Sequence, residues 1–250
     1  MQDIYVGDVG TGFPLVLVHG FLGTSKMWEP QINFFKNYFR VITPDLPGFG
    51  RSNKVKSHNS IQSIANLILD CLEEKKIDKF NLLGHSMGGM IVQEMAKKNG
   101  DKISKLICYS TGPRGEMPGR FETVDQSREN FKKKGLELSA KNIAKTWFVL
   151  DDKARYFNLC IEVGKQASME SADNALIAFQ NWNGLDTLQN IKNETLIVWG
   201  DQDKSYNLEQ VQTLEKNIVK SKLVIFKNCA HNVHLEQPDQ FNTTIKDFLL

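Results

Sequence analysis

What the 250-residue chain has little of narrows its class first. No apolar stretch approaches the roughly 20 residues a membrane-spanning helix needs. Met1-Gln2-Asp3-Ile4 lacks the charged and apolar regions of a secretory signal, so a cytoplasmic protein is expected. Cysteine is scarce: Cys71, Cys108, Cys160 and Cys229 are far apart and form no C-x-x-C pair, which removes the zinc-ribbon and dithiol readings and predicts reduced, mostly buried thiols. Neither charge sign dominates, the formal net charge being +2. Lys132-Lys133-Lys134 is the longest basic run and reads as a solvated helix face, so a nucleic-acid partner is not expected. Internal repeats and low-complexity segments are absent.

What is present is a hydrophobic fraction of 41%, enough for a full core. It comes in short runs: Pro14–Val18, Phe39–Ile42, Phe80–Leu83, Leu106–Tyr109, Thr195–Trp199 and Leu223–Phe226. Most are rich in Val, Ile or Leu with little alternation, the pattern of strands buried on both faces, as in parallel sheets. Helical spacing fills the gaps between them. Ile61, Ile64, Ala65, Ile68, Leu69 and Leu72 form one such set, with Ser60 placed to cap it; Met90 to Ala96, Leu208 to Leu214 and Pro238 to Leu249 supply others. Strand–helix alternation predicts a doubly wound, mostly parallel α/β sheet. From about 112 to 190 the rhythm breaks. Phe157 with Ile161, and Ala172, Leu176 and Phe179, give helical spacing without a strand. Residues 1–111 and 191–250 are therefore expected to form the core domain and 112–190 an inserted helical cap. Trp147, Phe148, Phe157, Met169, Phe179 and Trp182 are the cap's large apolar residues, some packing it down and some lining a pocket.

Gly84-His85-Ser86-Met87-Gly88-Gly89 lies between a strand and a helical pattern, the context a G-x-S-x-G nucleophile elbow requires. Glycines on both sides admit the sharp turn, and the helix directs its N-terminal N–H groups at the exposed hydroxyl. A serine hydroxyl needs a base, and His231 and His234 are both near the last strand run. Asp201 and Asp203 follow the fifth run and compete to orient that base. A metal held by His231-x-x-His234 would need a third ligand, and none is evident nearby.

With these residues stand His19-Gly20-Phe21-Leu22-Gly23, Asp45-Leu46-Pro47-Gly48-Phe49-Gly50-Arg51-Ser52, Trp199-Gly200-Asp201-Gln202-Asp203, and Cys229-Ala230-His231 with Glu236-Gln237-Pro238. Together they resemble the α/β-hydrolase family over nearly the whole chain. The resemblance implies Ser86 as nucleophile, His231 as base and Asp203 as the orienting acid, in the family's chain order. It implies an oxyanion hole from the backbone N–H groups of Phe21 and Met87, and no cofactor or metal. His19 and the Asp45–Ser52 segment are expected to brace the site.

The expected activity is hydrolysis of a small carboxylic ester or (enol-)lactone through an acyl-enzyme. Serine at the elbow argues against the dehalogenase and epoxide-hydrolase branches, which carry Asp there. Asn232 stands where C–C bond hydrolases usually have Trp, and Met90 where menaquinone-pathway lyases have Arg; Arg114, Arg120 and Arg155 of the cap are available in that role. The Gly88-Gly89-Met90-x-x-Gln93 run is similar to some enol-lactonases. Perhydrolase or haloperoxidase-like activity on the same triad, and a ligand receptor without catalysis, remain alternatives.

Overall fold

Along Pro14–Val18 (β2) the side chains alternate between two hydrophobic clusters. Leu15 and Leu17 join one and Val16 and Val18 the other. The same division recurs in Phe80–His85 (β4), Ile103–Tyr109 (β5) and Glu194–Gly200 (β6), where Leu82, Cys108 and Ile197 face one cluster and Leu83, Ile107 and Val198 the other. Apolar residues on both faces can be kept from water only if helices cover both, and that requirement dictates the layers. The computed structural model describes residues 3–115 and 118–250. Among these, one sheet contains Val6–Val9 (β1), β2, Arg40–Pro44 (β3), β4, β5, β6 and Ser221–Phe226 (β7) in the order β1-β3-β2-β4-β5-β6-β7. All neighbouring pairs are parallel except β1 with β3.

The helices are Glu29–Phe35 (α1), Ile61–Glu74 (α2), Met87–Asn99 (α3), Val124–Lys145 (α4), Phe157–Gly164 (α5), Met169–Asn181 (α6), Leu208–Asn217 (α7), Val233–Glu236 (α8) and Pro238–Leu249 (α9). Phe35 of α1 and Phe241, Ile245 and Leu249 of α9 pack on one face of the sheet; Ile64 and Ile68 of α2, Met90 and Ile91 of α3 and Val211 of α7 pack on the other. Each fully buried side chain of this size contributes about 1.5–3 kcal/mol. Among the described residues no helix is long and apolar enough to cross a membrane.

Helices α4, α5 and α6 all come between β5 and β6. Helix α4 starts on a capping box of Thr123 and Gln126 and kinks at Gly135, whose φ of 77° lies outside the helical range. Lys132, Lys133 and Lys134 are exposed on it. The four cysteines are free; Cys108, Cys160 and Cys229 are buried and Cys71 is half-buried, and burial pushes the thiols of the first three up to about 12.

Two details depart from the sequence reading. Strand β1 has no strong apolar run, because it is a partly exposed edge strand with Gly7 in it. Ser60 occupies the cap position of α2, yet its side chain makes no capping hydrogen bond. Its carbonyl instead accepts from the Ser63 hydroxyl at 2.9 Å and from the Ile64 N–H at 3.2 Å.

Candidate active site

The parallel strands deliver the polar loops to one edge of the sheet. Ser86 directly follows β4, and its φ of 56° and ψ of −118° place a non-glycine residue in a region that costs of order 1–3 kcal/mol. The turn is anchored on both sides: the Ser86 N–H donates to the Tyr109 carbonyl at 2.9 Å, and the Thr111 hydroxyl donates to the Ser86 carbonyl at 2.8 Å. Glycine is required where α3 passes β2, because a Cβ on Gly88 would collide with the Val18 and His19 carbonyls.

His231 follows β7, and Asp203 follows β6. The His231 Nδ1–H donates to Asp203 Oδ2 at 2.9 Å, with the Asp203 side chain fully buried and that of His231 nearly so. The other Asp203 oxygen accepts from the backbone N–H groups of Ser205 at 2.7 Å and Tyr206 at 3.2 Å. Asp201 turns elsewhere: its carboxylate accepts from the Asn228 N–H at 2.8 Å and pins the loop after β7. Ser86 and His231 line one cleft of about 540 Å³, although no hydrogen bond joins their side chains among the described contacts. His19 bridges two loops, with Nδ1 2.8 Å from the Gly20 carbonyl and Nε2 accepting from the Leu46 N–H at 2.9 Å. Asp45 accepts from the Ser25 N–H at 2.6 Å and the Arg51 N–H at 2.9 Å, so the segment after β3 braces this edge. The neighbouring Gly20 lies so near the elbow that a Cβ there would sit 2.9 Å from Ser86 Cβ. Among the described residues the Phe21 and Met87 N–H groups have no protein acceptor.

A family model for the alpha/beta hydrolase fold matches residues 14–238. The chain belongs to the α/β hydrolase fold family. This α/β hydrolase is 28% identical over 252 residues to a pimeloyl-[acyl-carrier protein] methyl ester esterase of Legionella pneumophila (strain Corby), covering 99% of the chain and 100% of that relative. An esterase from Exiguobacterium antarcticum superposes with a TM-score of 0.91 at 26% identity, covering 98% of this chain and 94% of that one. An enol-lactonase from Burkholderia xenovorans shares the fold with a TM-score of 0.90 at 22% identity, covering 98% and 96%. These relatives support a hydrolase of this fold.

Two further histidines of the hydrolase, His85 and His234, pack beside His231, and His85 also lines the cleft. His234 is fully buried on α8, its Nδ1 2.9 Å from the Tyr109 hydroxyl and its ring 4.7 Å from that of Trp28. Burial pushes its pKa down to about 3, with the neighbouring His231 adding to the shift. His85 lies between Tyr109 and His231, at ring separations of 4.5 and 4.6 Å, and burial holds its pKa well below the usual value. Burial therefore keeps both rings neutral. Among the described residues no group of three or more His, Cys, Asp or Glu side chains is arranged to hold a metal ion.

The wall of the cleft is largely apolar. Phe21, Met27, Phe121, Ile143, Trp147, Leu176 and Phe179 contribute to it. Of the large apolar residues expected in the insertion, Trp147 and Phe179 reach the cleft. Phe148, Phe157 and Trp182 are buried outside its lining, and Met169 is exposed. Two residues near His231, one in the cleft wall and one outside it, were not legible in the sequence. Tyr206 stacks its ring on that of His231 at 5.8 Å, and its buried hydroxyl lies close to the side chains of Ser86 and Thr111. Its position three residues after Asp203 was the available signal. Glu236, noted only as part of a motif, accepts from the Ala230 N–H at 2.6 Å and the Val149 N–H at 2.7 Å.

Proposed function

We propose that this α/β hydrolase cleaves small carboxylic esters or lactones through an acyl-enzyme on Ser86, with 112–190 acting as a cap over the cleft. Asp203 fixes the His231 tautomer with the proton on Nδ1, leaving Nε2 as the basic nitrogen. As Ser86 Oγ attacks the ester carbonyl, its proton passes to Nε2. The Phe21 and Met87 N–H groups receive the oxyanion. Collapse expels the alcohol, which takes the proton from His231, and an acyl group remains on Ser86. Water then attacks that acyl carbonyl, giving its proton to His231; the second collapse frees the acid and returns the proton to Ser86. Hydrogen bonds of this kind commonly tighten only when substrate is bound.

The observation that carries the reading is the buried 2.9 Å contact of His231 with Asp203 at the margin of the cleft that Ser86 lines. The apolar wall suits an acyl chain or a lactone ring. The test is labelling with an uncharged fluorophosphonate followed by peptide mapping. The adduct is expected on Ser86, and Ser86→Ala is expected to lower hydrolysis of short p-nitrophenyl esters by up to about a millionfold, roughly 8 kcal/mol in barrier. A Ser86→Ala variant with wild-type turnover would refute the mechanism. An unlabelled, catalytically silent protein would favour a receptor.

A further inference from the structure

Arg120 lines the same cleft as Ser86, in the segment that leads from β5 into α4. Among the described residues of that lining it is the sole side chain with a permanent charge, set beside Phe121, Ile143, Leu176 and Phe179. Its guanidinium is held in place. Nη1 donates to the Glu122 carbonyl oxygen and, at 3.1 Å, to the Ser127 hydroxyl, and the group sits 4.2 Å from the centre of the Phe121 ring. The nearest acid in sequence reaches it only through Ser127: the Glu122 carboxylate accepts from the same Ser127 hydroxyl that takes the Arg120 hydrogen bond, and from Asn130 Nδ2 at 2.8 Å. Among the described residues no carboxylate comes within ion-pair distance of Arg120. The same arginine also borders a second, more open groove, formed with Gly119, Thr123 and Gln180, so it stands between the inner cleft and the outside. Burial pushes its pKa down from the ordinary arginine value, a sign that the charge is partly withdrawn from water; an arginine nonetheless stays protonated at neutral pH.

A fixed, partly desolvated cation in an apolar wall has a specific use. It rewards a ligand that brings an anion to it, and the planar fork of a guanidinium matches a carboxylate. We propose that the preferred substrates are small esters or lactones carrying a second, ionised carboxylate, which Arg120 binds while the ester carbonyl lies at Ser86. This rests on the reading of Ser86 as the acyl-transfer nucleophile. Arg120 is then a specificity residue: it selects the substrate and sets its direction of entry, and it takes no part in proton transfer. A neutral ester of the same shape finds the same apolar wall but brings no carboxylate to pair directly with the guanidinium, and that difference is the source of selectivity.

The experiment measures protection of Ser86 against an uncharged fluorophosphonate. Protectants are the monomethyl esters of succinate, glutarate and adipate, each paired with its neutral isostere: methyl butanoate, pentanoate and hexanoate. In the wild type, at least one half-ester is expected to protect at about tenfold lower concentration, or less, than its neutral partner. Arg120→Gln is expected to erase that ratio. Arg120→Lys, which keeps the charge without the fork, is expected to retain part of it and guards against a variant that fails to fold. Equal protection within every pair in the wild type, or a ratio that survives in Arg120→Gln, overturns the proposal. Absence of labelling at Ser86 would instead overturn the underlying mechanism, so the two failures are distinguishable.

Discussion

The Glu236 carboxylate bridges two backbone amides that lie far apart in the chain. One oxygen accepts from Ala230, the residue before His231; the other accepts from Val149, which follows the Trp147–Phe148 corner of the insertion. The Asn232 N–H adds a parallel tie to the Trp147 carbonyl at 3.0 Å. The loop bearing the proposed base and the Trp147–Val149 segment are thus joined by three hydrogen bonds. In Glu236→Gln one oxygen is replaced by a donor that opposes a backbone N–H. The expected loss is about 1–3 kcal/mol of stability, together with a lower kcat. Urea titration reads the first and steady-state kinetics the second. Unchanged values for both would show that the bridge carries no strain between the two elements.

His231 and His234 are three residues apart but differ in environment, and their alanine variants are expected to fail differently. His231→Ala is expected to fold normally and lose at least about four orders of magnitude in turnover. His234→Ala empties a packed aromatic cluster and removes the partner of the Tyr109 hydroxyl, at a cost of about 2–4 kcal/mol. It is expected to retain turnover at temperatures where it remains folded. A folded but inactive His234→Ala would reverse the assignment.

The difference between what the sequence declared and what it hid follows from the range of the interactions. The six apolar runs and the tight turn around Ser86 were legible, because strand burial and tight turns leave local marks. The choice between Asp201 and Asp203 was not decided by spacing; it follows from where β7 sets down Asn228 and His231 relative to β6. The burial of His234 depends on Trp28 and Tyr109, which are distant in the chain. The arginine that reaches the cleft is Arg120, whereas Arg114 is exposed and Arg155 lies in a separate surface groove. All three were equivalent as letters.

Acid is expected to destabilise the fold through its buried histidines. His234 takes up its proton near pH 3 in the fold, whereas an unfolded chain does so near 6.5; His85 is shifted in the same direction. Between those limits the unfolded state binds more protons, so stability rises with pH, is complete above about 6.5 and is lost as pH falls. Each such group contributes a slope of about 1.4 kcal/mol per pH unit inside its window. Melting temperature is therefore expected to drop from pH 7 to pH 4, and to drop less steeply in His234→Asn. Parallel curves for the two proteins would remove His234 as a source of the acid sensitivity.

Gly20 offers a test of the close approach between the loop after β2 and the elbow. An added Cβ must displace either Ser86 or the Phe21 amide, since it would stand 2.9 Å from Ser86 Cβ and 3.0 Å from the His85 carbonyl. Overpacking of this kind costs about 1–3 kcal/mol, and a shift of about 1 Å at reacting atoms costs on the order of a hundredfold in rate. Gly20→Ala is thus expected to lose more in kcat than in thermal stability. The fluorophosphonate labelling rate, read beside the melting temperature, checks this; loss of both in proportion would point to general disruption.

Asp203 divides its two oxygens between an imidazole and the amides of Ser205 and Tyr206, and Tyr206 forms part of the cleft wall. Under the proposed mechanism one carboxylate therefore aligns the base and holds the turn that shapes the room for substrate. Any substitution that reshapes that turn to admit a larger molecule also tilts the imidazole. Variation in substrate range should accordingly concentrate on the insertion side, at positions such as Ile143, Leu176 and Phe179, where the wall can be recut without touching the proton relay.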